Sequence, residues 1–193
     1  MAIAPGVIQP PFYDPPIADY PSGQQHSQAW TEYHQSVADR LAATTATIAA
    51  NKGVTDGSDA TAGQIGEYIS AMVAAVSPVS LTNATPTNIT SVALTAGDWD
   101  VRGLVVFRAS AGTIATYIAD WISAVSATVP PRPNDGAMAE LAISFPAGVT
   151  QSMPTGTARV SVGAPITIYL SCYTQFSVSA MGAYGFIGAR RVR

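Results

Sequence analysis

Proline is distributed unevenly along this chain, and that distribution constrains the fold more than any other feature. Six of the fourteen prolines crowd into the start, at Pro5, Pro10, Pro11, Pro15, Pro16 and Pro21, and the next is Pro78. Each proline locks φ and lacks an amide hydrogen, so neither a helix nor a central strand can form across residues 1–24. That stretch must run as an extended, polyproline-like arm. Along it, in "PGVIQPPFYDPPIADYPSG", lie Val7, Ile8, Phe12, Tyr13, Ile17 and Tyr20. An extended arm has no core of its own, so these six side chains are expected to be buried on another surface.

The proline-free stretch beyond it admits a long helix, and "HSQAWTEYHQSVADRLAATTATIAANKG" reads as one over residues 25–52. Ser27 is placed to cap it, alanine and other good helix formers fill it, and Gly53 stands where a C-terminal stop belongs. Trp30, His34, Val37, Leu41, Thr44 and Ile48 recur at spacings of 4, 3, 4, 3 and 4, a heptad seam. A helix of this length is marginal alone in water, because nucleation is costly and few turns follow it. The expectation is a trimeric coiled coil with Trp30, His34, Val37, Leu41 and Ile48 at the interface. A helix lying on the rest of the chain fits the same pattern.

Residues 53–63, "GVTDGSDATAG", carry turn chemistry at Asp56-Gly57 and Gly63 and mark a linker. From 64 to 193 short alternating runs are separated by Gly, Pro and Asn, which predicts strands near 65–73, 79–82, 88–95, 98–107, 114–126, 139–145, 157–162, 166–178 and 183–192. "AGQIGEYISAMVAAV" also fits a helical stripe through Ile65, Ile69, Met72, Val73 and Val76. The fold class expected is mainly β: an extended arm, one helix, and a C-terminal antiparallel β-sandwich or jelly roll. "VPPRPNDG", residues 129–136, should be an exposed loop, since its prolines cannot donate to a ladder.

Charged residues make up 11% of the chain, against about 25% in an average soluble protein, and Lys52 is the sole lysine. A surface so poor in charge favours association with partners. With net charge −3 there is no basic excess to neutralise phosphates, so nucleic acid is not expected as a partner. No run of about 18 apolar residues would insert into a membrane, and no signal-peptide pattern opens the chain, which reads as cytoplasmic in origin. Cys172 is the only cysteine and lies in the alternating run "ITIYLSCYTQF", where it reads as a small core residue.

Catalysis finds little support. Asp98 and Asp100, two apart on one strand, could share a face and hold a metal or a sugar; the simpler assignment, preferred here, has Asp98 setting a turn after Gly97, Trp99 packing inward and Asp100 solvated. His26 and His34 are remote in sequence from Cys172, and no hydrolase or phosphate-loop motif is present, so no catalytic, cofactor-binding or metal residues are assigned. In a trimer His34 would form a ring of three imidazoles; an ordinary packed histidine accounts for it as well. Arg190, Arg191 and Arg193 read as a solvated strand end or an intersubunit salt bridge.

"SVALTAGDWDVRGLVVF" at 91–107 and "YGFIGARRVR" at 184–193 resemble the C-terminal domain of small structural proteins of tailed bacteriophages. "VTDGSDATAGQIGEYISA" at 54–71 and "ARVSVGAPITIYLSC" at 158–172 are similar to the same group, and the helix more loosely so. The resemblance implies a virion fibre, spike or decoration protein, commonly a homotrimer with a jelly-roll-like knob, made in the host cytoplasm and assembled onto the capsid, portal or tail. The arm matches no motif of the group, so head and tail attachment both stay open. A second expectation makes the knob a receptor-binding module for host-surface glycan, using loops 108–116 and 129–136 with Tyr117 and Trp121 as stacking faces, although alternation along "TIATYIADWISAV" assigns at least one of the two to core packing. A glycan depolymerase would need paired acids at a cleft, and the twelve acidic residues are scattered.

Overall fold

Residues 28–51, 54, 56–132, 137–177 and 180–193 are described by the structure, a computed structural model. The arm residues Val7, Ile8, Phe12, Tyr13, Ile17 and Tyr20, together with Ser27 and Gly53, lie outside them. Contacts divide the chain at Lys52/Gly53 into two units, taken separately below.

In the first unit, Gln28–Asn51 forms one α-helix, α1, about 36 Å long at 1.5 Å per residue. Its polar residues satisfy themselves locally. Thr44, Thr45 and Thr47 each donate a hydroxyl hydrogen to the carbonyl four residues back, at 2.9–3.0 Å, and Gln35 Nε2 donates to Asp39 Oδ1 at 2.8 Å.

The second unit contains ten strands: β1 (Tyr68–Val73), β2 (Val79–Leu81), β3 (Thr87–Leu94), β4 (Gly97–Ala109), β5 (Ile114–Ser123), β6 (Met138–Leu141), β7 (Thr150–Pro154), β8 (Ala158–Val162), β9 (Ile166–Ser177) and β10 (Met181–Arg191). All pairings are antiparallel. One sheet runs β1-β10-β4-β7, with β2 in line with β1 on the outer edge of β10 and β8 in line with β7 on the outer edge of β4; the other runs β3-β9-β5-β6. Alternation decides which face of each strand is buried. Trp99, Val101, Val105 and Phe107 of β4, Ile118 and Ile122 of β5, Ile168, Leu170 and Cys172 of β9, and Ala183, Ile187 and Ala189 of β10 meet between the sheets as one core. The result is a β-sandwich.

Two details depart from the sequence pattern. The stretch that also fits a helical stripe is strand β1, because six consecutive residues pair with β10 while Ile69, Ala71 and Val73 pack on the core. Strand β7 was not expected: "TQSMP" offers one inward apolar residue, Met153, and is held in place by the free edge of β4. Its Pro154 is tolerated because an edge strand can forgo a ladder donor. Strands β5 and β6 are shorter than expected, ending at Ser123 and Leu141.

Candidate functional site

Asp98 and Asp100 resolve first. Both project from the outer face of β4, but Asp98 is buried beneath two guanidinium groups: Arg159 Nε donates to Oδ1 and Arg193 Nε to Oδ2, each at 3.0 Å. The Arg159 hydrogen bonds hold its carboxyl down to about 2 against the opposing effect of burial, with Arg193 adding to them. Asp98 is therefore engaged in tying β8 and the chain end to β4, while Asp100 is exposed. Among the described residues no cluster of three His, Cys, Asp or Glu could hold a metal.

Arg191 corrects the expectation of a solvated basic end. It is buried, pairs with Glu67 at 2.9 Å, donates to the Ala96 carbonyl at 2.8 Å and lies 4.3 Å from the ring centroid of Trp99. Gly97 makes room for it: a Cβ there would collide with the guanidinium, and its φ of +149° is one that L side chains rarely adopt. Trp99 itself is fully buried and donates its indole N–H to the Thr95 carbonyl at 3.0 Å. Glu67 carried no sequence signal, since its partner lies 124 residues away.

The seam of α1 is open. Val37, Leu41 and Ile48 are 41%, 66% and 62% exposed, while Trp30 is half-buried and stacks on the exposed His34, ring centroids 5.6 Å apart. A second apolar surface crosses the outer face of the six-stranded sheet, where Met72, Phe186, Leu104 and Pro154 are register partners on four successive strands. Met72 is 74% exposed. Beside this row a hollow of about 430 Å³ opens over Gly188, rimmed by Tyr68, Asp100, Arg102 and Arg190.

A different cleft, of about 350 Å³, lies on the outer face of the four-stranded sheet. Tyr117, Ala119 and Trp121 alternate with the inward Ile118 and Ile122, and their cross-strand partners Gln175, Tyr173 and Met138 stand on the same face. The described part of the β5–β6 connection, up to Arg132, borders it. Asn88 of β3 fastens that connection, accepting the Ala127 amide hydrogen and donating to Ser126 Oγ, both at 2.7 Å. Val129 and Arg132 thereby reach the cleft. Tyr117 and Tyr173 meet edge to face at 5.8 Å. At the rim, Tyr117 donates its hydroxyl hydrogen to Glu140 Oε2 at 2.6 Å, and Arg132 donates to both Glu140 (2.9 Å) and the Tyr117 hydroxyl oxygen (3.0 Å). Trp121 is fully buried at the base rather than an exposed stacking face, and its indole N–H has no acceptor among the described residues. Sequence reading placed Tyr117 and Trp121 here; Tyr173 and Gln175 were missed because β9 reads as a uniform core strand.

No family model matches the chain, and no curated protein matches it. Among solved structures, similarity is found to infectious bursal disease virus: the Gx strain at 16% identity (73% of this chain, 36% of that chain, TM-score 0.40), the Gt strain at 15% (73% and 36%, 0.41) and the VP2 subviral particle at 14% (73% and 36%, 0.39). The chain spans about a third of the length of those chains. Likeness at these scores carries no argument about what this chain does.

Proposed function

We propose that the chain is a non-enzymatic structural protein of a tailed-bacteriophage virion, a homotrimeric fibre or spike held on the head or tail through its N-terminal arm. The observation that carries this reading is the seam of α1: apolar side chains at heptad spacing that stand exposed in a single copy. Threefold association would bury them, along with Trp30 and His34, and would bring three arms together, so that weak contacts of Val7, Ile8, Phe12, Tyr13, Ile17 and Tyr20 with capsid, portal or tail proteins gain avidity. The knob is a jelly roll in this reading. Counting β1 with β2 and β7 with β8 as one strand each leaves eight strands in two sheets of four, the complement of that architecture. The row Met72, Phe186, Leu104 and Pro154 is the flank that neighbouring knobs would cover. Light scattering on the purified chain tests the proposal: a mass of three times 19.9 kDa is expected, and a clean monomer rules the trimer out.

A second reading, in which the knob recognises host-surface glycan, is favoured by the aromatic cleft between β5, β9 and the β5–β6 connection. Competition of particle adsorption by the isolated knob separates the two readings.

A further inference from the structure

We propose that this cleft binds one uncharged sugar ring, with Tyr117 and Tyr173 contacting its C–H surface above the buried ring of Trp121. The inference rests on the receptor-binding reading and deepens it by naming the site and the ligand class. Size comes first: about 350 Å³ is at the small end of ligand pockets and suits a single sugar ring.

The lining then selects the chemistry. Val129, Met138 and the tyrosine rings offer apolar contact, which hydroxyl-bearing rings can use through their C–H faces. A wholly apolar ligand would strip water from Arg132, Gln175 and the tyrosine hydroxyls without replacing its hydrogen bonds. Charge excludes the other extreme. Arg132 is neutralised by Glu140 at 2.7 Å, so no cation among the lining residues is left for a carboxylate or phosphate, and an anion would meet the Glu140 carboxylate. Gln175 Nε2 donates to the Tyr173 hydroxyl oxygen at 3.0 Å, which fixes both groups at the rim before any ligand arrives. The larger hollow over Gly188 lacks this combination, since Tyr68 is the one aromatic side chain among its lining residues and both Arg102 and Arg190 border it.

The experiment uses the full-length protein and a panel of methyl glycosides: neutral hexoses, N-acetylhexosamines and a sialoside, with binding followed by saturation-transfer NMR and by the indole N–H resonances. At least one neutral glycoside is expected to bind and to move the Trp121 resonance while leaving that of Trp99, which is already bonded to Thr95, in place. Tyr173→Ala should weaken binding about tenfold or more, equivalent to ~1.4 kcal/mol. Tyr117→Phe, which keeps the ring, should weaken it less, and unchanged thermal melting of both variants shows that the knob still folds. Binding that survives Tyr173→Ala overturns the site but leaves glycan recognition standing; binding of the sialoside alone overturns the uncharged ligand. If no glycoside binds and the knob also fails to compete with particle adsorption, both the inference and the reading beneath it fall.

Discussion

Asp120 sits fully buried in the core face of β5, between Ala139 of β6 and Cys172 of β9, and neither of its carboxyl oxygens has a partner among the described residues. Burial pushes it up to about 8, with the Ala139 amide pulling the other way without an ordinary hydrogen bond, and burial likewise pushes the Cys172 thiol far up. The sign of the linkage follows. Below pH 4 Asp120 is protonated whether the chain is folded or not; between about 4 and 8 folding takes up a proton, so stability falls as pH rises; above 8 the loss levels off. Asp120→Asn should therefore raise urea stability at pH 8 and flatten its pH dependence, whose slope from this one group is at most ~1.4 kcal/mol per pH unit. Asp98 acts in the opposite sense: its lowered carboxyl contributes stability above pH 4 that disappears as pH falls towards 2. The Glu67–Arg191 pair is a third case. Arg191→Ala leaves Glu67 charged and buried, and urea unfolding should show a loss of ~3–5 kcal/mol. Of these residues only Cys172 was legible beforehand, since apolar alternation is local whereas ion-pair partners are set by the fold.

At the scale of the element, α1 and β1 make opposite points. The helix was legible because everything that specifies it lies within one turn: helix formers, heptad spacing and hydroxyls bonding four residues back. Its seam makes a sharp prediction. In a lone chain Leu41 is exposed, so Leu41→Asp should change intrinsic stability by no more than about 0.5 kcal/mol. In a trimer the same substitution sets three carboxylates against each other at a dry seam. Light scattering of the variant should fall from three times 19.9 kDa to one, while thermal melting of the knob stays in place; a trimer that persists places the interface elsewhere. Strand β1, by contrast, satisfies two periodicities, and the six-residue ladder with β10 decides between them. The same holds for β7, which has too few apolar residues to announce itself and exists because β4 presents an unpaired edge.

For the whole molecule, the proposed scheme assigns the arm to attachment and the helix to assembly, so deletion of residues 1–24 should yield a soluble trimer that no longer joins particles. Incorporation assays on the deleted chain against full-length protein check this, and retained incorporation moves the anchor into the helix or knob. What the sequence determined by itself is a helix where proline is absent and a β unit of alternating strands with Trp99 and Cys172 inside, while the extended arm expected over residues 1–24 lies outside the described residues. These follow from backbone chemistry and side-chain period, which act over a few residues. The tertiary structure alone decided the order of strands in the two sheets, the burial of Arg191 and Asp120, and the meeting of Tyr117, Trp121, Tyr173 and Arg132 around one cleft. Those depend on contacts between segments tens of residues apart, whose partners no local pattern encodes.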